Sequence, residues 1–237
     1  MALVTGAGRR IGRAIALRLA SEGARIALHY RNSESEANAV AAEIAAGGGD
    51  AVCLHAELTR TAEVASLFER AEQRFGRLDI LVNNAAVFAA TALAETTDAQ
   101  WDAVLDTNLK AQFFCAQRAA PLLARTGHGR IVNLASLGGL LAWPKFTAYC
   151  VSKAGVIMLT RCLARALAPS VTVNAIAPGT ISFANDAPEL ADLYIQRAPM
   201  GRTGGPDDIA DAVMYFVEAG FVTGQILAVD GGRSIPS

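Results

Sequence analysis

A doubly wound α/β fold, with helices on both faces of a mainly parallel sheet, is predicted by three features of the sequence. Short apolar, β-branched runs alternate with longer amphipathic stretches along the chain. A glycine-rich turn, Thr5-Gly6-Ala7-Gly8-Arg9-Arg10-Ile11-Gly12, follows directly on the first apolar run, Ala2-Leu3-Val4. No Pro/Gly/Ser-rich linker or repeat period interrupts the alternation. Parallel strands need long crossovers and bury both sheet faces, so such a pattern calls for a layered architecture. The 237 residues, 52% hydrophobic and 18% charged, are read as one domain spanning 1–237.

From the N-terminus, Ala2–Val4 is the first strand. Ile11, Ile15 and Leu19 then recur every four residues as the apolar stripe of a helix, and Gly23 stands where a left-handed residue would end it. Residues 25–30 and 51–55 read as the second and third strands, and residues 39–49, rich in Ala and Gly, as a helix with its cap and turn. Residues 78–82, 130–134 and 171–175 are further strands, with helical patterns between them. The most apolar segment, 80–94, is broken by Asn83 and Asn84 and falls short of the roughly 20 residues of a membrane span.

Composition excludes several function classes. A net charge of −1 provides no cationic footprint for nucleic acid or an anionic membrane. Cys53, Cys115, Cys150 and Cys162 form no C-x-x-C pair and read as small core side chains in a reducing compartment, and His29, His55 and His128 show no zinc spacing, so no metal is expected. The first strand begins almost at the first residue, with no room for a leader, which points to the cytoplasm.

The glycine turn joins a strand to a helix, so backbone N–H groups and the positive helix end face whatever occupies it, and a pyrophosphate suits that place. In a dinucleotide site an acid at the end of the second strand would hold a ribose 2′-hydroxyl. Here the strand ends His29-Tyr30-Arg31-Asn32-Ser33, with no carboxylate before Glu34. Arg31, Asn32 and Ser33, with Arg9 and Arg10, suit a 2′-phosphate, which favours NADP(H).

At the chemical end, Tyr149 and Lys153 are four apart in a helical stretch and share a face. A nearby ammonium is expected to lower the phenol's pKa for acid–base work. Ser136, thirteen residues before Tyr149, follows an apolar strand at the carboxyl edge where such sheets bind ligands, and can hold a substrate carbonyl.

These residues resemble the short-chain dehydrogenase/reductase family from Thr5 through Val222-Thr223-Gly224-Gln225 to Asp230-Gly231-Gly232. Asn83-Asn84-Ala85-Ala86 is similar to the family's N-N-A-G segment, Asn108 to its catalytic asparagine, and Pro178-Gly179 to its turn beside the nicotinamide. The resemblance implies a seven-stranded Rossmann sheet of order 3-2-1-4-5-6-7 and a homotetramer or dimer built on the helices near Asn108 and Tyr149. It implies that Tyr149 donates the proton, Lys153 tunes it and binds the nicotinamide ribose, Ser136 polarises the carbonyl and Asn108 holds a relay water. It also implies cofactor contacts from Thr5, Gly6, Gly8, Ile11, Gly12, Glu57, Leu58, Asn84, Ala85, Ala86, Pro178, Gly179 and Ile181, Glu57 standing in place of the family's usual aspartate.

Some departures resemble the pteridine-reductase-like branch: Arg10 at the turn's usual second glycine, the Arg31-Asn32-Ser33 ending, Phe88 after the N-N-A segment, and Phe183 where many members have threonine. Against that branch, Ser136 stands where its best-known members have aspartate. Substrate is expected to meet Phe88, Ser136, Trp143, Tyr149 and Phe183 in loops 137–146 and 181–200, the latter read as a lid, with Phe146 and Tyr194 adding to an apolar or flat-ring pocket. The expected activity is NADPH-dependent reduction of a ketone, an aldehyde or a 3-oxoacyl thioester, with dihydropteridine reduction and non-catalytic cofactor binding as alternatives.

Overall fold

The computed structural model describes residues 1–183, 186, 195 and 198–235. Seven strands are found among them: β1 (Ala2–Val4), β2 (Ile26–Tyr30), β3 (Ala51–His55), β4 (Ile80–Asn83), β5 (Gly129–Leu134), β6 (Val171–Pro178) and β7 (Ile226–Val229). They form one sheet in the order β3-β2-β1-β4-β5-β6-β7, and every neighbouring pair is parallel. The sequence-based strand set lacked β7 and ended β6 three residues early. The short Ile226–Val229 run carries too little pattern to stand out, and Pro178 at the end of β6 masks the extension.

Side-chain alternation sends each strand to both faces. Ala2, Val4, Ile26, Leu28, Ile80 and Val82 enter a core beneath α1 (Arg10–Ser21), α2 (Glu34–Ala46) and α7 (Pro206–Glu218), where they meet Ile15, Leu19, Val40, Val213 and Phe216. Leu3, Ala27 and Leu81 point the other way, toward α3 (Thr61–Phe75) and α5 (Ala111–Ala124), and pack with Leu67, Phe68, Cys115 and Leu123. Helix α4 (Asp98–Leu105) runs through a single π turn, Asp106–Lys110, into α5, and α6 (Thr147–Leu167) follows β5. Gly23 has φ 84° and its N–H caps the Ala20 carbonyl, so α1 stops where the sequence predicted.

The cysteines differ from expectation: only Cys115 is buried, whereas Cys53 and Cys150 are partly exposed and Cys162 is exposed. Cys115 faces α3 across the second core, while Cys162 falls on the outer face of α6. Among the described residues no helix is long and apolar enough to cross a membrane. The order in which successive strands are added reverses between β1 and β4, which opens a crevice at the carboxyl ends of the strands.

Candidate active site

The glycine turn leaves β1 at this crevice. Thr5 Oγ1 accepts from the N–H groups of Asn84 (2.9 Å) and Ala85 (3.0 Å), and Asn84 Nδ2 donates to the carbonyls of Thr5 (2.8 Å) and Gly6 (3.1 Å). Two residues expected at the cofactor therefore spend their side chains locking the turn to the end of β4. A Cβ on Gly12 would stand 2.2 Å from the Gly6 carbonyl oxygen, so only glycine lets α1 start so close beneath the turn. A Cβ on Gly8 would meet Ser33 Oγ at 3.0 Å and the Ala37 nitrogen at 3.1 Å, which brings the start of α2 against the turn.

His29 completes this floor. Its Nδ1 accepts from the Gly6 N–H at 3.0 Å, so Nε2 carries the proton and donates to the Ala56 carbonyl at 3.0 Å. Burial pulls its pKa down to about 4, and the neutral ring ties the turn to the end of β3. Sequence reasoning noted His29 for its lack of metal spacing and as the start of the strand-two ending, and gave it no part in the turn; its place within β2 was the available signal.

Arg10 has φ 53°, the left-handed conformation that glycine adopts freely and that costs an arginine about 1–2 kcal/mol. The usual glycine of the family motif is thus replaced without a change of backbone. At the end of β2, Arg31 pairs with Glu57 at 3.4 Å across the β2/β3 edge. Glu57 Oε1 also accepts from the Thr59 N–H, so this carboxylate is already engaged and offsets the arginine only in part. Arg9 and Arg10 stand at the turn and Arg31 at the end of β2, exposed cations whose charge suits a phosphate-bearing dinucleotide. Leu58 does not reach the crevice, because its side chain is buried in the core against α3. Gly179 lies against Asp230, where a Cβ would come within 2.7 Å of the Asp230 Cα, and Ile181 bridges to Gly204.

The chemical residues meet at the ends of β5 and α6. Ser136 is buried and accepts from the Gly138 N–H at 3.1 Å. Lys153 is fully enclosed, donates to the Leu134 carbonyl at 2.7 Å and sits 5.8 Å from the Tyr149 ring centre. Burial pulls its ammonium down to about 7. Burial pushes the Tyr149 phenol above its usual range, and a hydrogen bond from Ser136 pulls it back in part. The expected lowering of Tyr149 by Lys153 is therefore not found: burial raises the phenol, and the group that pulls it down is Ser136.

Asn108, wholly buried, stands in the π turn. Its Oδ1 accepts from the Val87 N–H at 2.8 Å, and its Nδ2 donates to the Val87 carbonyl at 3.0 Å and to Ser152 Oγ at 3.1 Å. Both amide hydrogens are thus committed to the protein, and Ser152 is a partner that sequence reading missed.

Aromatic rings surround Tyr149. Phe88 stands edge-on to it at 4.8 Å and stacks on Phe146 at 4.5 Å, and Trp143 lies nearly parallel to Tyr149 at 6.3 Å. Phe88 is 62% exposed, so it lines the mouth of the site rather than packing under the sheet. Phe183 does not join this cluster and lies instead against Arg10. Tyr194 falls outside the described residues.

The sequence family described as "Enoyl-(Acyl carrier protein) reductase" matches residues 6–234. A 3-oxoacyl-[acyl-carrier-protein] reductase FabG of Staphylococcus aureus is 43% identical over 98% of this chain and 96% of its own length. A short-chain type dehydrogenase/reductase of Picea abies is 37% identical over 98% and 92%. Among solved structures, a putative gluconate dehydrogenase from Agrobacterium tumefaciens superposes with a TM-score of 0.94 at 34% identity, covering 100% of this chain and 96% of that one. On this fold and these full-length likenesses, the chain belongs to the short-chain dehydrogenase/reductase family and is an oxidoreductase of that family.

Proposed function

We propose that the enzyme uses NADP(H) and reduces a carbonyl, with a 3-oxoacyl thioester as the foremost candidate substrate. The observation that carries this reading is the cluster of buried Ser136 and Lys153 with half-buried Tyr149 at the crevice, with a phenol held protonated at neutral pH. When bound, the reduced nicotinamide supplies the hydride. Ser136 donates a hydrogen bond to the carbonyl oxygen, and Tyr149 gives its proton to that oxygen as charge develops, leaving an alcohol and a phenolate. Lys153 places a positive charge near that phenolate, and Asn108 holds the segment after β4 and the α6 backbone in register around the site. Arg31, with Arg9, is assigned to the 2′-phosphate and favours NADPH over NADH. The 3-oxoacyl choice comes from the relatives named above.

A second reading, reduction of a dihydropterin ring, rests on Phe88, whose exposed ring could stack on a flat substrate beside Tyr149. The named relatives give the pteridine branch no support, so it ranks second. Assembly into a homotetramer or dimer is supported by Phe113, Val151 and Met158, exposed on α5 and α6, and by a groove of about 450 Å³ lined by Leu105, Leu109, Phe113 and Leu159.

The test follows oxidation of NADPH and NADH against ketones, β-ketoacyl thioesters and dihydropterins, with Tyr149→Phe as control. Carbonyl turnover with NADPH that falls about 10³-fold in the variant supports the reading. Pterin-only turnover installs the second reading, and tight NADPH binding without any turnover points to a sensor.

A further inference from the structure

A contact that the reduction itself does not use joins the glycine turn to the segment after β6. Arg10 Nη1 donates to Asp186 Oδ1 at 3.0 Å, and the guanidinium lies 3.9 Å over the centre of the Phe183 ring. Asp186 Oδ2 accepts from the Phe183 N–H at 3.0 Å, and the Asp186 N–H donates to the Phe183 carbonyl at 2.9 Å. One carboxylate thus fixes its own turn and the guanidinium together, while the aromatic face supports the guanidinium from the other side. Arg10 takes part from a left-handed backbone at φ 53°. Such strained positions persist where the surroundings over-determine them, and they gather at ligand clamps.

We propose that Arg10 is a positioning residue for the diphosphate of the dinucleotide, held in place beside the phosphate turn by Phe183 and Asp186. The inference rests on the NADP(H) reading above. Asp186 engages only Nη1, and the remaining guanidinium N–H groups can serve a second anion. Arg10 and Asp186 are 56% and 32% exposed, so their ion pair is screened and weak alone; stacking and pairing together fix the orientation of the side chain. A pre-oriented guanidinium gives up less rotamer freedom when the cofactor arrives. The turn and the chain after β6 therefore act on the cofactor as one unit.

The test measures NADPH dissociation constants by fluorescence on the full chain at low and moderate salt, with melting of the cofactor-free protein alongside. Arg10→Gly is expected to weaken binding about tenfold and to flatten its salt dependence, while the melting temperature holds or rises because the backbone strain is relieved. Asp186→Asn and Phe183→Leu are each expected to weaken binding about threefold in the parent and to have no effect in the Arg10→Gly background. Arg10→Lys, which keeps the charge without the planar stack, should fall between parent and Arg10→Gly. Parent-like binding and salt slope in Arg10→Gly would overturn the proposal. Tighter binding in Asp186→Asn would also overturn it, since Asp186 would then compete with the phosphate. If the parent binds no NADPH and reduces no carbonyl, the functional reading itself fails; if the parent does both and the variants match it, this inference alone fails.

Discussion

Asn108 donates to the Ser152 hydroxyl at 3.1 Å, and the Ser152 hydroxyl in turn donates to the Tyr149 carbonyl at 2.7 Å, so the π turn and the first turn of α6 are tied by side chains. Removal of the hydroxyl leaves a fully buried amide hydrogen without its acceptor, at a cost of about 1–3 kcal/mol. Ser152→Ala is therefore expected to melt several degrees lower. Its carbonyl-reducing kcat should fall about tenfold with KM little changed, because the loosened link displaces Tyr149 and not the substrate pocket. Steady-state kinetics and thermal melting check this, and an unchanged kcat would show the link to be structural only.

Lys153 is enclosed with its pKa pulled down to about 7 by burial. Between pH 7 and the ordinary lysine value the unfolded chain holds a proton that the folded chain gives up, so stability rises with pH across that window. Lys153→Met removes the buried charge and should melt a few degrees higher at pH 7, at roughly 2–4 °C per kcal/mol for a chain of this size. The gain should shrink toward pH 10, while turnover is lost. Melting curves at the two pH values decide the matter.

His29 acts in the opposite pH range. Its folded pKa of about 4 lies below the ordinary 6.5, so its neutral form is favoured by folding. The stability it contributes is present above pH 6.5 and drains away as pH falls toward 4, by at most about 3 kcal/mol. Denaturant titrations of the parent and of His29→Gln are expected to differ by that slope between pH 6.5 and 4. Parallel curves would place the acid sensitivity elsewhere.

Gly12 is the least replaceable glycine of the turn. Gly12→Ala drives a Cβ onto the Gly6 carbonyl at 2.2 Å and Asn84 Nδ2 at 2.6 Å, and neither is a flexible end that can swing away. The variant is expected to lose NADPH binding by at least tenfold and to melt lower, as read by cofactor fluorescence and calorimetry.

The glycine turn, Ser136, Tyr149 and Lys153 were legible because each occupies a short local pattern: strand to turn to helix, or two residues four apart on one helix. What escaped depends on partners distant in sequence. His29 reads as one more residue of an apolar strand until Gly6 and Ala56 are seen on its two nitrogens. Ser152 is an ordinary helical serine until Asn108 is brought to it from 44 residues away. The direction of the Tyr149 shift escaped for another reason. Four-residue spacing predicts that a lysine is near, but the depth of burial, which raises the phenol, is not written in that spacing. Phe183, placed with the substrate by its loop, turned to Arg10 because a cation over its ring offered a better partner than solvent.

The π turn at Asp106–Lys110 has a consequence for which changes in chain length the enzyme can survive. Val104, Asn108, Ala111 and Cys115 all face inward along one continuous rod that includes the turn. Each residue of an α-helix advances the face by about 100°. Deleting any one of these five residues would restore regular winding and swing everything after it around by that angle, turning Cys115 and Ala119 away from the core and driving Phe113 and Gln117 toward the sheet. This stretch is a spacer of fixed count, open to outward substitutions at Thr107 and Lys110 but closed to any indel.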